Sequence, residues 1–434
     1  MKSMRSIPCL LWDWGRVNSA LLMNAISLVS TTAVTSILGF AYWWVAARQY
    51  PPALVGLGSA EISMMMLLGT ICMIGLGTVL ISEMPHYRGK ELVLINTVLL
   101  FVGGIGWIVG LIFAFVAPLL SPNFRSLQTS VEDVLLFACG VSLSALALIF
   151  DQALIGLLRS HLQLWRNGLF ALIKLFLLFL CGLWLAKKTG VTIFETWIGG
   201  NLFSVFIIAG YVFFRFRGSN IAYRPQWGLL RTLRVHAIQH QALNLMLQAP
   251  ALILPILVTV LLSTAANAWF YVAWMLAALG ALPSTVLALV LFATSATKPE
   301  SIAQKVRMTV GLALGVGMVI MIVLMLGSSY FLSVFGADYA REASLSLCIL
   351  ALGALPRVIK EHYVAICRVR GDIQRALFPM MIGCLLELGL AAVGAHSAGL
   401  SGLSLGWLCA LCIEAAFGFR VVYKALYAPS NIVC

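Results

Sequence analysis

RFRGSNIAYRPQWGLLRTLRVH (215–236) is the most polar interruption in a chain that is otherwise almost continuously apolar. Gly218, Pro225 and Gly228 break any long helix through it, and its five arginines suit a segment lying against anionic headgroups. Working outward in both directions, the sequence falls into apolar stretches of the ~20 residues that cross a bilayer. Six precede it, at about 25–47, 57–82, 91–115, 134–158, 168–186 and 193–214. Six follow, at about 239–262, 268–293, 308–331, 343–365, 376–396 and 399–420. The stretch therefore reads as a cytoplasmic linker (215–236) between an N-terminal six-helix lobe (1–214) and a C-terminal six-helix lobe (237–434).

Composition agrees. The 434 residues are 62% hydrophobic and only 10% charged, with a mean hydropathy of +1.01. Lipid offers no partner for backbone amides, so each span is expected to be helical, and the short alternating strands of a membrane barrel are absent. The expected fold class is all-α, a polytopic membrane protein of about 12 transmembrane helices in two six-helix lobes. Every Lys and Arg except Arg48, Arg125, Lys174, Lys187, Lys188 and Arg341 falls in gaps on one side of that arrangement. By the positive-inside rule that side is cytoplasmic and holds both termini. The net charge of +13 is then a matter of topology, with membrane lipids as partners and no nucleic acid implied. No cleavable signal is evident, and the first helix reads as an uncleaved anchor. Six spans per lobe give both lobes one orientation, so any internal symmetry is a parallel repeat; Asn24 and Asn244 occupy similar early positions in helices one and seven.

The chain lacks GxSxG, HExxH and GxxxxGK[ST], and no catalytic residue, cofactor or metal site is expected. Cys409 and Cys412 form C-x-x-C inside helix twelve, where they read as small packing residues. His86, His161 and His362 fall in cytoplasmic loops, where solvated side chains are expected. Ionisable residues within spans are costly and draw attention. Asp151 lies eight residues before Arg159, and Lys174 eight after Arg166, ~12 Å from the cytoplasmic ends at 1.5 Å per residue. They are placed to pair, structurally or for transport, the alternative being that Lys174 snorkels to the headgroups. Glu387, deep in helix eleven, has no evident partner in the sequence; a proton or Na⁺ site and a protonated carboxyl bonded to a neighbouring helix are both open. Glu61 is placed to reach a water-filled cavity from the outer end of helix two. His236, His240, Asn244 and Gln248, four residues apart, form one stripe along helix seven, marking a wet cavity wall unless the helix starts later and leaves the histidines in a loop. Pro250, Pro255 and Pro283 favour kinks in helices seven and eight.

Three stretches carry a resemblance. ARQYPPALVGLGSA (47–60), FGADYAREA (335–343), and RVRGDIQRALFP (368–379) with HSAGLSGLSLGWLCALCIEAAF (396–417) are similar to segments of the polysaccharide and O-antigen flippase branch of the multidrug/oligosaccharidyl-lipid/polysaccharide (MOP) exporter superfamily. The resemblance implies two lobes in a V, with helices one, two, seven and eight lining a central cavity, which places Asn24, Glu61, Asn244 and Gln248 near the cargo path. Relatives that flip peptidoglycan lipids carry deep basic residues in that cavity, and helices one, two and eight here contain none. The implied function is a flippase in the bacterial inner membrane, moving a lipid-linked glycan for polysaccharide or lipopolysaccharide assembly by alternating access, driven by H⁺, Na⁺ or membrane potential. The alternatives are a cation-coupled multidrug exporter of the same fold and a membrane-embedded glycan ligase or polymerase. Even the longest outer loop, 116–133, offers little for chemistry beyond Arg125, Glu132 and Asp133, which disfavours the last.

Overall fold

The computed structural model of the protein describes residues 19–84, 87, 91–157, 159–184, 189–216, 234–295 and 302–427. The basic head, the loop at Arg88 and Lys90, His86 and linker residues 217–233 lie outside the described residues. The described residues form helices and no strand. They are α1 (Ser19–Gln49), α2 (Pro52–Cys72), α3 (Leu76–Glu83), α4 (Glu91–Leu120), α5 (Val131–Gly156), α6 (Ser160–Trp184), α7 (Gly190–Phe216) and α8 (Arg234–Leu261). There follow α9 (Thr264–Ser295), α10 (Ile302–Leu326), α11 (Ser328–Ser333), α12 (Ala337–Leu352), α13 (Ala354–Val369) and α14 (Ile373–Tyr427), and a 3₁₀ turn (Pro122–Gln128) joins α4 to α5.

Among the described residues nine helices are long and apolar enough to cross a membrane, and α12 with α13, bent by 41°, make a tenth span. The helix α14 holds two, because its backbone leaves helical geometry at Ala398 and at Gly399, whose φ is +59°. There the chain doubles back, and the position of a Cβ on Gly402 lies 2.1 Å from the Gly394 carbonyl oxygen. Only glycine permits that approach of two backbones. With the 31-residue α1 the spans number twelve, as expected from the sequence. Small residues also join α4 to α5: a Cβ on Gly110 would meet Ala138 Cα at 2.6 Å, and Ser142 Oγ donates to the Gly103 carbonyl at 2.9 Å.

Span two is broken between α2 and α3, where Ile74 and Gly75 take φ of +47° and +78°. The Ile74 amide turns to Ile71, leaving the Thr70 carbonyl without its usual partner, and Gln241 Nε2 of α8 donates to it at 2.8 Å. A polar residue in span seven thus repairs a break in span two. The two halves of the chain meet mainly through α2, which packs against α8 and α9.

At the base-poor ends of the spans the halves are also latched. Arg48 Nε and Trp44 Nε1, at the end of α1, donate to the Val334 carbonyl at 2.9 and 3.0 Å. Asn267 Nδ2 of α9 donates to the Gly56 carbonyl at 2.8 Å and to Ser59 Oγ at 3.0 Å, and Asn123 Nδ2 donates to the Thr259 carbonyl at 3.2 Å. Toward the base-rich ends, Thr32, Ala33 and Val34 of α1 are exposed. The halves are latched at the base-poor end, whereas residues 32–34 of α1 are uncovered toward the other.

Candidate functional site

The antiparallel pair α5 and α6 brings Asp151 and Arg166 together. Asp151 lies five residues before the end of α5 and Arg166 six after the start of α6, so they meet at matched depth. Arg166 Nε donates to Asp151 Oδ1 at 2.8 Å and Nη2 to Oδ2 at 2.7 Å, the bidentate fork that suits guanidinium to carboxylate. Asn167 Nδ2 donates to Asp151 Oδ2 at 3.1 Å, while Asn167 and Asn201 oxygens accept from Arg166 at 2.8 and 3.4 Å. This corrects the expected Asp151–Lys174 pair. The depth argument holds, but α6 begins at Ser160, so Arg166 is itself inside the helix and takes the place assigned to Lys174.

Lys174 does not snorkel either. It is buried, and its ammonium stands over the Trp197 ring at 3.3 Å from the centroid, with Phe170 at 4.5 Å and Tyr42 at 4.9 Å. Ring faces attract a desolvated cation, and Tyr42 is held in place by donating to the Ile193 carbonyl at 2.8 Å.

In front of this box lies a cavity of about 380 Å³, lined by Lys174, Asp151, Asn167, Gln163 and by Thr31, Thr32 and Thr35 of α1. A second cavity, about 230 Å³, lies between α1 and α9 and is lined by Phe40, Tyr271, Met275, Leu279 and Leu282. Both are bounded by Gly39 and Trp43, and nothing lies within 4 Å of where a Cβ on Gly39 would stand. The two cavities share that edge of α1, one with a hydrogen-bonding, cation-bearing lining and the other with an apolar, aromatic one.

In the C-terminal half Glu387 is not alone, contrary to the expectation from its sequence surroundings. Lys360 Nζ of α13 lies 2.5 Å from Glu387 Oε1 and 2.7 Å from Glu414 Oε2, and Trp407 Nε1 donates to Glu387 Oε2 at 2.6 Å. All three charged side chains are at most 7% exposed. The sequence reading counts Lys360 among the cytoplasmic basic residues although it falls within the stretch 343–365; it lies inside α13, where this end of span ten is sheathed by protein rather than lipid. His362 is corrected for the same reason, being fully buried with Nδ1 2.8 Å from the Val358 carbonyl.

The other expected site residues are dispersed. Glu61 is fully buried and accepts from Ser126 Oγ at 2.7 Å, because the 3₁₀ turn folds over it, so it lines neither cavity. Asn244 Oδ1 accepts from Arg368 Nη2 at 2.8 Å, and Gln248 is exposed. Asn24 lies in α1 and His240 in α8, their side chains and His236's outside the described residues. The sequence reading missed Arg166, Trp197 and Lys360; Trp197 carries no signal beyond being an aromatic residue in an apolar helix. Among the described residues no group of three or more His, Cys, Asp or Glu is arranged to hold a metal ion.

No protein-family model matches the chain, and no curated protein matches it in sequence. Solved structures do. One described as the inward-facing conformation of a multidrug resistance MATE family transporter of the MOP superfamily has a TM-score of 0.71 at 15% identity, covering 94% of this chain and 99% of its own. The outward-facing conformation of such a transporter scores 0.63 at 15% identity, covering 95% and 96%. A MOP superfamily transporter from Pyrococcus furiosus, for which a reversed polarity of the binding pocket suggests a different function, scores 0.63 at 16% identity with the same coverage. These neighbours are transporters, and the chain has the fold shared by MATE transporters of the MOP superfamily.

Proposed function

We propose that the protein is a flippase that carries a lipid-linked oligosaccharide from the cytoplasmic to the outer leaflet of the bacterial inner membrane, serving polysaccharide or lipopolysaccharide assembly. The observation that carries this reading is the pair of unlike cavities that share Gly39 and Trp43 of α1 as a common edge. Threonine hydroxyls, the Asn167 and Gln163 amides and the faces of Trp43 and Trp197 suit a glycan. The Lys174 ammonium suits the diphosphate that joins sugar to lipid. Phe40, Met275, Leu279 and Leu282 suit the first isoprenoid units, with the rest of the tail leaving into the bilayer. Under the positive-inside assignment the uncovered residues 32–34 of α1 lie toward the cytoplasm, where the cargo is made. The two six-helix lobes would rock about the seam of α2 against α8 and α9, exchanging the Arg48–Val334 latch for closure at the other end, with an ion gradient as the energy source.

A second reading, a multidrug exporter, is favoured by the fold of its structural neighbours. Charge on the cleft wall favours the glycan. Asp151 is already matched by Arg166, which leaves Lys174 as the wall's unmatched charge among the described residues, and a cationic drug would meet an ammonium rather than a carboxylate. Quenching of intrinsic tryptophan fluorescence in purified protein separates the two. A short-chain prenyl-diphosphate oligosaccharide should bind to wild type and more weakly to Lys174→Met, by about 1.5–3 kcal/mol or roughly ten- to a hundredfold. Tight binding of ethidium with none of the glycan lipid would select the drug exporter.

A further inference from the structure

The cluster on α13 and α14 carries a charge problem that the cleft does not explain. Two carboxylates, Glu387 and Glu414, share one ammonium, Lys360, in a pocket where none of the three is more than 7% exposed. Glu387 is fully provided for, since Oε1 faces Lys360 and Oε2 accepts from Trp407. Glu414 is not. Its Oε2 lies at ion-pair distance from Lys360, its Oε1 has no hydrogen-bond partner, and the side chain is 2% exposed. Room for that carboxyl is made by Gly383, where a Cβ would stand 2.3 Å from Glu414 Cδ. A contact set of one positive and two negative charges has a net charge of −1, and a buried unpaired carboxylate sheds its charge by taking up a proton.

We propose that Glu414, backed by Glu387 and Lys360, is the site of one exchangeable proton. Uptake from water converts the Glu414 carboxylate to a carboxylic acid, leaving Glu387 and Lys360 as a neutral pair; release returns the proton to water and regenerates the second carboxylate. A small space lies beside the cluster. Trp407, which donates to Glu387, stacks edge-on against Trp274 at 4.9 Å, and both line a space of about 10 Å³ with Arg357 and Ala278, room for about one water. Ala278 also lines the apolar cavity of the cleft.

Other charged and titratable groups nearby have partners of their own or stand farther off. Arg357 on α13 and Cys384 on α14 bear on the carboxylates from a greater distance, with no ion pair to either. Arg368 of α13 is bound to Asn244 of α8, Arg307 of α10 donates to the Leu426 carbonyl, and Asp338, Arg341 and Glu342 of α12 pair with one another at the surface. His362 faces the Val358 carbonyl. Lys360 already occupies the position between the carboxylates that a Na⁺ would need, so the exchangeable ion is the proton.

The proposal deepens the flippase reading by assigning its energy source, but its test is independent of cargo. Infrared spectra of the full-length protein in nanodiscs, recorded across pH, count protonated carboxyls by their C=O stretch. Beyond the band of the fully buried Glu61, which Glu61→Gln removes, wild type should show one further buried protonated carboxyl that Glu414→Gln and Glu387→Gln each abolish, since either leaves one carboxylate for one ammonium. Lys360→Met should show two further, and if one variant fails to fold the others carry the count. Sodium chloride at fixed pH should leave the wild-type band unchanged. No band beyond that of Glu61 in wild type, as in a fully ionised set with Arg357 supplying the second positive charge, overturns the proposal; so does a further band that survives both glutamine substitutions or disappears with Na⁺. Transport of glycan lipid with the infrared count contradicted would sink this site alone, whereas the expected count without such transport would sink only the cargo.

Discussion

Replacing Asp151 by asparagine removes the counter-charge of an arginine whose side chain is 4% exposed, and the geometry fixes what remains. Arg166 keeps the Asn167 oxygen at 2.8 Å and the Asn201 oxygen at 3.4 Å, and an asparagine at 151 still offers one acceptor. What is lost is one of two charge-assisted hydrogen bonds and the whole of the charge compensation. Removing one partner of a buried pair costs about 3–5 kcal/mol. Because Asp151 borders the cleft and is 14% exposed, the lower end applies, ~3 kcal/mol. The double variant, Asp151→Asn with Arg166→Met, leaves no unpaired ion and should lose only ~1 kcal/mol, a coupling of about 2 kcal/mol or more. Thermal unfolding in detergent, followed by fluorescence-detected size exclusion, measures it: the double variant should melt above Asp151→Asn alone. The same cycle between Asp151 and Lys174 should be close to additive. Additivity for 151 with 166, or strong coupling for 151 with 174, would refute the pairing.

Gly39→Leu, at a position with open space around its Cβ, should fold normally and abolish transport by filling the junction of the two cavities; transport at the wild-type rate would show that cargo does not pass there. Arg48→Ala removes hydrogen bonds to the Val334 and Ser333 carbonyls. Loss of ~1 kcal/mol should open the latch roughly fivefold more often, read as faster labelling of a cysteine at the buried Ala268 by an impermeant reagent from outside; an unchanged rate would show that the latch does not hold that end shut. Cysteine at the exposed Gln248 should label with a water-soluble thiol reagent in a Cys-free background while one at the buried Leu243 does not, and equal labelling would remove the wet face from span seven. Reporter fusions should place both termini and the linker in the cytoplasm, and an active periplasmic reporter fused at the linker would reverse the topology.

Much of the fold is legible in the sequence because lipid leaves few options: span length, helix and the two-sided distribution of Arg and Lys follow from the solvent alone. The site is less so, and the reasons are local. Asp151 was recognisable as a buried acid, but its partner depends on where α6 begins, and moving that start from 168 to 160 exchanges Lys174 for Arg166. Glu387 stood out, whereas Lys360 did not, because hydropathy tracks contact with lipid while the end of α13 is buried in protein with Val358, His362, Tyr363 and Val364. The aromatic box around Lys174 joins residues of α1, α6 and α7 and leaves no spacing to find in any one helix. Glu61 looked accessible because the sequence does not reveal that the 3₁₀ turn folds back across the outer end of α2.

A lipid-linked glycan as cargo is tested most directly by reconstituting the purified protein in liposomes loaded on one leaflet with a prenyl-diphosphate oligosaccharide and following its protection from a membrane-impermeant glycosidase. Wild type should move the glycan between leaflets, and Lys174→Met should do so at least tenfold more slowly, with ethidium not transported by either. Movement of ethidium by wild type, with the glycan lipid remaining in its original leaflet, would contradict the cleft's assignment.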